Sequence, residues 1–104
     1  MNVYISGRVT GLPTDEVKKK FKEAEIAISK LGHKPINPTK KCSEDMDWNT
    51  AMKVAIGAMM KADSILLLYD WHLSRGARAE LDIANLLQMK AYFNLKELKD
   101  DTSL

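Results

Sequence analysis

The position of one glutamate, Glu80, in the sequence indicates a functional carboxylate. It lies three residues before Ile83 and four before Ala84, which places it on the inward stripe of an expected helix. A carboxylate that faces a protein core is costly to bury unless another group pairs with it. Glu80 is therefore our first candidate for catalysis. The alternative is a boundary glutamate that tilts to water or pairs with Arg75, Arg78 or a nearby lysine.

The elements that must position Glu80 are a strand, a loop and a helix. Residues 65–69 read ILLLY without polar alternation, which is typical of a strand buried on both faces in a parallel sheet. Charge begins at Asp70, and Ser74 has the hydroxyl of a helix N-cap. The apolar stripe of the helix is expected to continue to Leu87. Since ligands bind beyond the carboxyl ends of parallel strands, this loop is a candidate binding site.

A second polar loop follows a short apolar strand over residues 3–5. Ser6 and Arg8 have donors that a phosphate or ribose could accept, while Gly7 and Gly11 allow a ligand to approach the backbone. The loop has no complete GxGxxG or GxxxxGK[ST] pattern. A plain connection between a strand and a helix explains it equally well.

The first helix is expected to open at Thr14, with its hydroxyl as the cap, and to end at Gly32. Residues 18–22 contain four lysines that alternate with acids around this helix, and we interpret them as a solvated face. The apolar stripe has helical spacing and comprises Val17, Phe21, Ala24, Ile28 and Leu31.

The remaining segments continue the alternation of strands and helices. Two prolines within residues 33–38 confine the next strand to an edge of the sheet, and Asn37 at its carboxyl end could bind a ligand or form a turn. A second helix with a methionine-rich apolar face is expected to begin near Ser43 or Asp47. A last strand over residues 91–93 precedes a polar tail with at most a frayed helical turn.

This alternation predicts an α/β fold: a three-layer, flavodoxin/Rossmann-like sandwich with a four-stranded parallel sheet and right-handed crossovers. Since the proline-containing strand belongs at an edge, the predicted strand order is 2-1-3-4. The loops after the first and third strands then meet at the switch point of the sheet. One cleft is expected to contain Ser6, Gly7, Arg8, Asp70, Trp71, Ser74, Arg75, Gly76 and Glu80.

Composition limits the function classes. The 104 residues suit a single domain, with 45% apolar and 29% charged residues as in soluble proteins. A net charge of +2 argues against a nucleic-acid polymer as partner, and no segment is long enough for a signal peptide or a membrane span. The single Cys42 suits the cytoplasm. His33 and His72 fall in different loops, so we expect no metal and no cofactor.

The segments VYISGRVTGLP, FKEAEIAISKLGHKPINP and MMKADSILLLYDWHLSRGARAELDIANLL resemble the small phage and bacterial domains classed as nucleoside 2-deoxyribosyltransferase-like. The wider superfamily of these domains includes deoxyribosyltransferases and deoxynucleoside 5'-monophosphate N-glycosidases. The most specific part is SRGARAE, in which Gly76 precedes Glu80 by four residues. The resemblance implies that Glu80 attacks the anomeric carbon of a ribose or deoxyribose and displaces the base.

The chain departs from this pattern at two positions. Ser74 stands where the transferases carry an aspartate, whereas the monophosphate hydrolases have a serine that helps to hold the phosphate. Ala55 stands where the enzymes place an acid, so another group must protonate the departing base. Asp70 and His72 are the substitutes that we consider, and the alternative for His72 is an ordinary loop residue.

The leading hypothesis is an N-glycosidase or deoxyribosyltransferase that acts on nucleosides or nucleoside 5'-monophosphates. In this hypothesis Trp71 or Tyr4 stacks on the base, although Tyr4 could equally belong to the core. The sugar or phosphate would be bound by Arg8, Ser74, Arg75 and Gly76.

Two other hypotheses remain open. The chain could be a nucleotide-binding module that senses or sequesters its ligand without turnover, with Glu80 bound to a ribose, or an interaction protein with a vestigial site. All three hypotheses include a homo-oligomer, because a small sheet leaves edges and helix faces uncovered.

Overall fold

The alternation of apolar strands and amphipathic helices produces one parallel sheet in the computed structural model, which describes residues 1–103. The strands are β1 (Asn2–Ser6), β2 (Lys34–Ile36), β3 (Ser64–Leu67) and β4 (Lys90–Tyr92). Neighbouring strands pair in parallel in the order β2-β1-β3-β4. The predicted α/β class and strand order are therefore confirmed, with β2 at an edge.

Helices cover both faces of the sheet. Their bounds are α1 (Thr14–Lys30), α2 (Trp48–Met59), α3 (Arg75–Leu86) and α4 (Leu95–Thr102). Two short 3-10 turns, Pro38–Lys40 and Trp71–Leu73, lie in the loops after β2 and β3. Apolar side chains of α1 and α4 pack on one face, while those of α2 and α3 pack on the other. Within residues 1–103, every helix is too short or too polar to cross a membrane.

The pleat of β1 divides its side chains between these two cores. Val3 and Ile5 belong to the core that contains α1, whereas Tyr4 belongs to the core that contains α2 and α3. Successive side chains of a strand point to opposite faces, so Ser6 shares the face of Tyr4. Both side chains therefore face the layer that carries Glu80.

Side-chain caps define where two of these helices begin. Ser74 caps α3 and Asp47 caps α2, and each accepts a hydrogen bond from the backbone N–H three residues further on. Both positions agree with the sequence prediction. The prediction for α1 is wrong, because Thr14 is already helical and the preceding Pro13 has no side-chain oxygen to act as a cap.

Three apolar residues that were predicted to end a strand or a helical stripe lie beyond the ends of those elements. The ladder between β1 and β3 ends at the pair Ser6 and Leu67, so Tyr69 lies beyond the strand and is 74% exposed. Phe93 follows the end of β4 and is 44% exposed. Leu87 follows the end of α3 and is also exposed, so the inward stripe of α3 stops earlier than predicted.

The polar tail is more ordered than the sequence predicts. Residues Leu95–Thr102 form the helix α4, which Asn94 caps by accepting the N–H of Glu97 at 2.8 Å. Leu98 is fully buried in the core of the α1 face. One buried leucine among charged residues gives no helical stripe, which is why periodicity did not reveal this helix.

Candidate functional site

Two hydroxyl groups of β1 hold the Glu80 carboxylate. The Tyr4 hydroxyl donates to Oε2 of Glu80 at 2.6 Å, and the Ser6 hydroxyl donates to Oε1 at 2.8 Å. Glu80 is only 5% exposed, so the paired carboxylate expected from the stripe position is present. Each carboxylate oxygen has one fixed donor and keeps a lone pair for another partner.

Burial and hydrogen bonding shift the pKa of Glu80 in opposite directions. Removal from water raises the pKa of Glu80 above its ordinary value, and the hydrogen bonds from Tyr4 and Ser6 counteract part of that rise. Burial and the neighbouring carboxylate also raise the pKa of Tyr4 well above its usual range. The phenol of Tyr4 therefore remains a donor to Glu80 near neutral pH.

Glu80 lines a cavity of about 680 Å³ beyond the carboxyl ends of β1 and β3. This is the edge at which ligands bind in open parallel sheets, and the volume is in the range of small-molecule sites. The wall is apolar on the side of α2 and mixes apolar with polar side chains on the side of α1 and at the loops. The sequence-predicted site residues on the wall are Tyr4, Gly7, Arg8, Ser74, Arg75, Gly76 and Glu80.

An arginine and a tryptophan meet at the rim of this cavity. The Arg75 guanidinium carbon lies 4.0 Å from the ring centroid of Trp48, a cation–π stack between the first turns of α3 and α2. Arg75 is exposed and Trp48 is half-buried. This contact links the two helices beside the opening.

Two glycines of this region lie close against neighbouring side chains. A Cβ on Gly76 would lie 3.0 Å from Sδ of Met52, so α3 begins close against α2. A Cβ on Gly7 would lie 2.9 Å from a methyl carbon of Leu68. Both distances are shorter than normal van der Waals contact, so neither position accepts a side chain without movement.

A buried ion pair joins the two loops that border the cavity. Lys20 Nζ lies 2.6 Å from Oδ2 of Asp70, and their side chains are only 9% and 7% exposed. The same ammonium group donates to the carbonyl oxygen of Arg8 at 2.6 Å, while the N–H of Arg8 donates to Oδ1 of Asp70 at 3.1 Å. The interpretation of the lysine run as a solvated face is therefore wrong for Lys20.

Four predicted site residues lie away from the cavity wall. Ser6 is one of them, although its hydroxyl holds the Glu80 carboxylate. Asp70 is directed at Lys20 rather than at Glu80. Trp71 packs against Phe93, with ring centroids 5.6 Å apart. Asn37 is buried and caps the Pro38–Lys40 turn by accepting the N–H of Thr39 at 3.0 Å. The predicted convergence of nine residues on one cleft is thus corrected for Ser6, Asp70 and Trp71.

Neutral side chains complete the wall near Glu80. Ala55, at the place of the missing acid, is 8% exposed and lines the cavity. Cys42 also lines it, and burial together with the charge of Glu80 raises the pKa of this thiol. Within residues 1–103, no group of three or more His, Cys, Asp or Glu side chains is arranged to hold a metal ion.

Sequence reasoning missed Trp48 on the cavity wall and Lys20 as the partner of Asp70, although the sequence carries a signal for each. Helices antiparallel to the strands begin at the carboxyl edge of the sheet, so the first turn of α2 had to bring Trp48 there. Lys20 lies three residues after Val17 and four before Ala24, on the edge of the apolar stripe. Lys20, like Glu80, is therefore a charged residue beside an apolar stripe, which needs a partner if it is buried.

Comparison with known proteins gives one family and one related structure. The chain is similar in fold to the structure reported for a 2-deoxyribosyltransferase from the psychrotolerant bacterium Bacillus psychrosaccharolyticus, with a TM-score of 0.68 and 15% identity over 95% of this chain and 90% of that chain. No curated protein matches. The model of the family described as "Domain of unknown function (DUF4406)" matches residues 1–93. Because this match spans most of the chain, the protein belongs to the DUF4406 family.

Proposed function

We propose that this protein cleaves or transfers the N-glycosidic bond of a nucleoside or nucleoside 5'-monophosphate, with Glu80 as the nucleophile. The observation that carries the proposal is a buried carboxylate, fixed by Tyr4 and Ser6, at the wall of a cavity beyond the carboxyl ends of the strands. The fold likeness to a 2-deoxyribosyltransferase supports the same reaction class.

In the first step a carboxylate oxygen of Glu80 attacks the anomeric carbon of the sugar. The bond between this carbon and the base nitrogen breaks, and its electron pair leaves with the base. The two hydroxyl donors hold the carboxylate against rotation, so that a free lone pair faces the sugar. The product of this step is a glycosyl ester of Glu80.

In the second step water or an acceptor base attacks the same carbon. The ester bond breaks, the carboxylate of Glu80 is regenerated, and the attacking group loses a proton. With water the net reaction is hydrolysis to free base and sugar; with a second base it is transfer.

Protonation of the departing base limits the rate in this proposal. Ala55 has no ionisable group, the Asp70 carboxylate is bound to Lys20, and His72 is not on the cavity wall. Water in the cavity therefore supplies the proton. Loss of general acid catalysis slows such reactions by about 10²- to 10⁴-fold, so we expect slow turnover.

Polar groups at the mouth fit the rest of a nucleotide. Arg8, Ser74, Arg75 and Gly76 line the cavity beside Glu80. The N–H groups at the beginning of α3 and the two guanidinium groups can bind an anion, which favours a 5'-phosphate.

Base release is the decisive measurement. Purified protein is incubated with ribo- and deoxyribonucleosides and their 5'-monophosphates, with and without an acceptor base, and free base is separated by chromatography. Glu80→Gln should lower the rate about 10³-fold or more, as for other nucleophiles. Glu23→Gln, the same change at an exposed glutamate of α1, is the matched control. Full turnover by Glu80→Gln would exclude the covalent mechanism.

A nucleotide-binding module is the second candidate function, and Ala55 favours it. A cavity with a buried carboxylate but no proton donor opposite can bind a ribose hydroxyl without cleaving the sugar. Calorimetry with the same compounds distinguishes the candidates. Saturable binding of an intact nucleotide, with no base released on long incubation, would support the binding module and exclude the enzyme.

A further inference from the structure

The aromatic rings around the cavity differ in how much surface a ligand can reach. Tyr4 and Phe21 line the cavity but are each only 1% exposed. Trp48 lines it and is half-buried. Among residues 1–103, Trp48 is therefore the aromatic residue of the cavity wall with the largest exposed fraction.

The face of Trp48 already accommodates a flat group. The Arg75 guanidinium, which is planar, stacks over the ring at 4.0 Å from its centroid. Arg75 is exposed, and cation–π contacts between exposed groups are weak. A planar ligand can thus take this place without disturbing the apolar core.

The stacked pair lies within the reach of a ligand held at Glu80. Arg75 precedes Glu80 by five residues on α3, which is about 7.5 Å along a helix at ~1.5 Å per residue. On the opposite wall, Trp48, Met52 and Ala55 share one face of α2 and line the cavity from its rim inward. The wall between the rim and Glu80 is therefore continuous.

We propose that the indole of Trp48 is the stacking surface for the nucleobase, in the place that the Arg75 guanidinium occupies in this structure. This proposal rests on the proposed function and identifies the part of the site that recognises the base. It replaces Trp71 and Tyr4 in that role, because Trp71 packs against Phe93 outside the cavity and the ring of Tyr4 is buried. Binding of the base displaces Arg75 from the ring.

Tryptophan fluorescence tests this contact without any turnover. The chain has two tryptophans, so Trp71→Phe leaves Trp48 as the single reporter. In a Glu80→Gln, Trp71→Phe protein, adenosine, thymidine and their 5'-monophosphates should change the emission of Trp48 in a saturable manner. Ribose 5-phosphate, which lacks a base, should leave it unchanged.

Substitutions of the two stacked residues provide the second measurement, by calorimetry on the otherwise unmodified chain. Trp48→Leu should raise the Kd of nucleosides about 10-fold, since base stacking is worth roughly that factor, whereas Trp48→Phe should largely preserve it. Arg75→Ala should lower the Kd of an uncharged nucleoside, because the competitor for the ring is gone. Circular dichroism establishes that each variant is folded.

The outcomes separate this inference from the proposed function. Base release by the intact protein, with an unchanged Kd in Trp48→Leu, would overturn the stacking role and leave the enzymatic proposal intact. A saturable emission change without base release would support the stacking role and reject the enzymatic proposal. Failure of every compound to bind would overturn the stacking role.

Discussion

At the scale of single residues, Glu80 is held in an environment that suits reactivity better than stability. Its pKa is raised by burial, so the folded chain favours the protonated form. The contribution of Glu80 to stability is thus fully present below the ordinary pKa of 4.5 and is lost as the pH rises through the higher folded value. Near neutral pH the charged carboxylate opposes folding.

The first prediction follows from the raised pKa of Glu80. Glu80→Gln should raise the free energy of unfolding near pH 7 while it abolishes base release, because the amide is neutral and can still exchange hydrogen bonds with Tyr4 and Ser6. The gain should shrink as the pH falls toward 4. Urea unfolding at both pH values measures this difference, and an equal gain at both values would contradict it.

The second prediction concerns the pH profile of the proposed reaction. Glu80 must be ionised to attack, so kcat should rise with pH through a pKa above 4.5. Tyr4→Phe removes a hydrogen bond that lowers this pKa, so the acid limb should move to higher pH. Ser6→Ala should move it in the same direction. Unchanged limbs in both variants would show that Glu80 does not titrate in the reaction.

At the scale of secondary structure, the beginning of α3 determines where Glu80 stands. Ser74 Oγ accepts the N–H of Ala77 at 3.1 Å and fixes the first turn. Ser74→Ala should lower the free energy of unfolding by about 1 kcal/mol, the usual loss for an N-cap. Ser74→Asp should recover most of it. Thermal unfolding of the three proteins measures the effect, and an equal loss in both variants would argue against a capping role.

The ion pair between Lys20 and Asp70 acts on the two loops together. Lys20→Met leaves Asp70 buried without its cation, so the free energy of unfolding should fall by about 3 kcal/mol. The double variant Lys20→Met, Asp70→Leu should be more stable than Lys20→Met alone, since no uncompensated charge remains. Chemical denaturation of both variants checks this, and additive losses would contradict the coupling.

At these two scales, sequence reasoning succeeded where one pattern determined one outcome. The apolar run of β3 and the prolines of β2 each had a single consistent interpretation, and the stripe position of Glu80 gave the buried carboxylate as one of two interpretations. It failed where the outcome depended on a partner from another element. Whether Asp70 faced the cavity depended on Lys20, 50 residues away in the chain, and no local pattern reports such a contact.

The positions of the two tryptophans were not predicted for the same reason, because they depend on contacts with other elements. Trp71 follows the central strand directly and was expected at the cleft, but the short turn Trp71–Leu73 carries its ring toward Phe93. Trp48 has helical spacing with Met52, so the sequence places it on the apolar face of α2. Spacing identifies a face of a helix but not whether the face meets the sheet or a cavity at its end.

At the scale of the whole molecule, α4 joins the fold although it lies beyond the family match at residues 1–93. Leu98 is fully buried, and the Tyr92 hydroxyl donates to Asp101 at 2.5 Å. Leu98→Ala should therefore lower the free energy of unfolding by about 2–5 kcal/mol, as for other buried leucines. Leu95→Ala, at a 38% exposed position on the same helix, is the control. Equal small losses in both variants would show that α4 is dispensable.

The location of the two donors to Glu80 has a consequence for how such a site can change. Tyr4 and Ser6 are two residues apart on the same strand, so the pleat of the central sheet orients the Glu80 carboxylate. The residues that would meet the ligand elsewhere belong to loops and helix ends. Evolution can therefore exchange the ligand by altering those surface segments one at a time, while the geometry around the Glu80 carboxylate is inherited unchanged with the sheet.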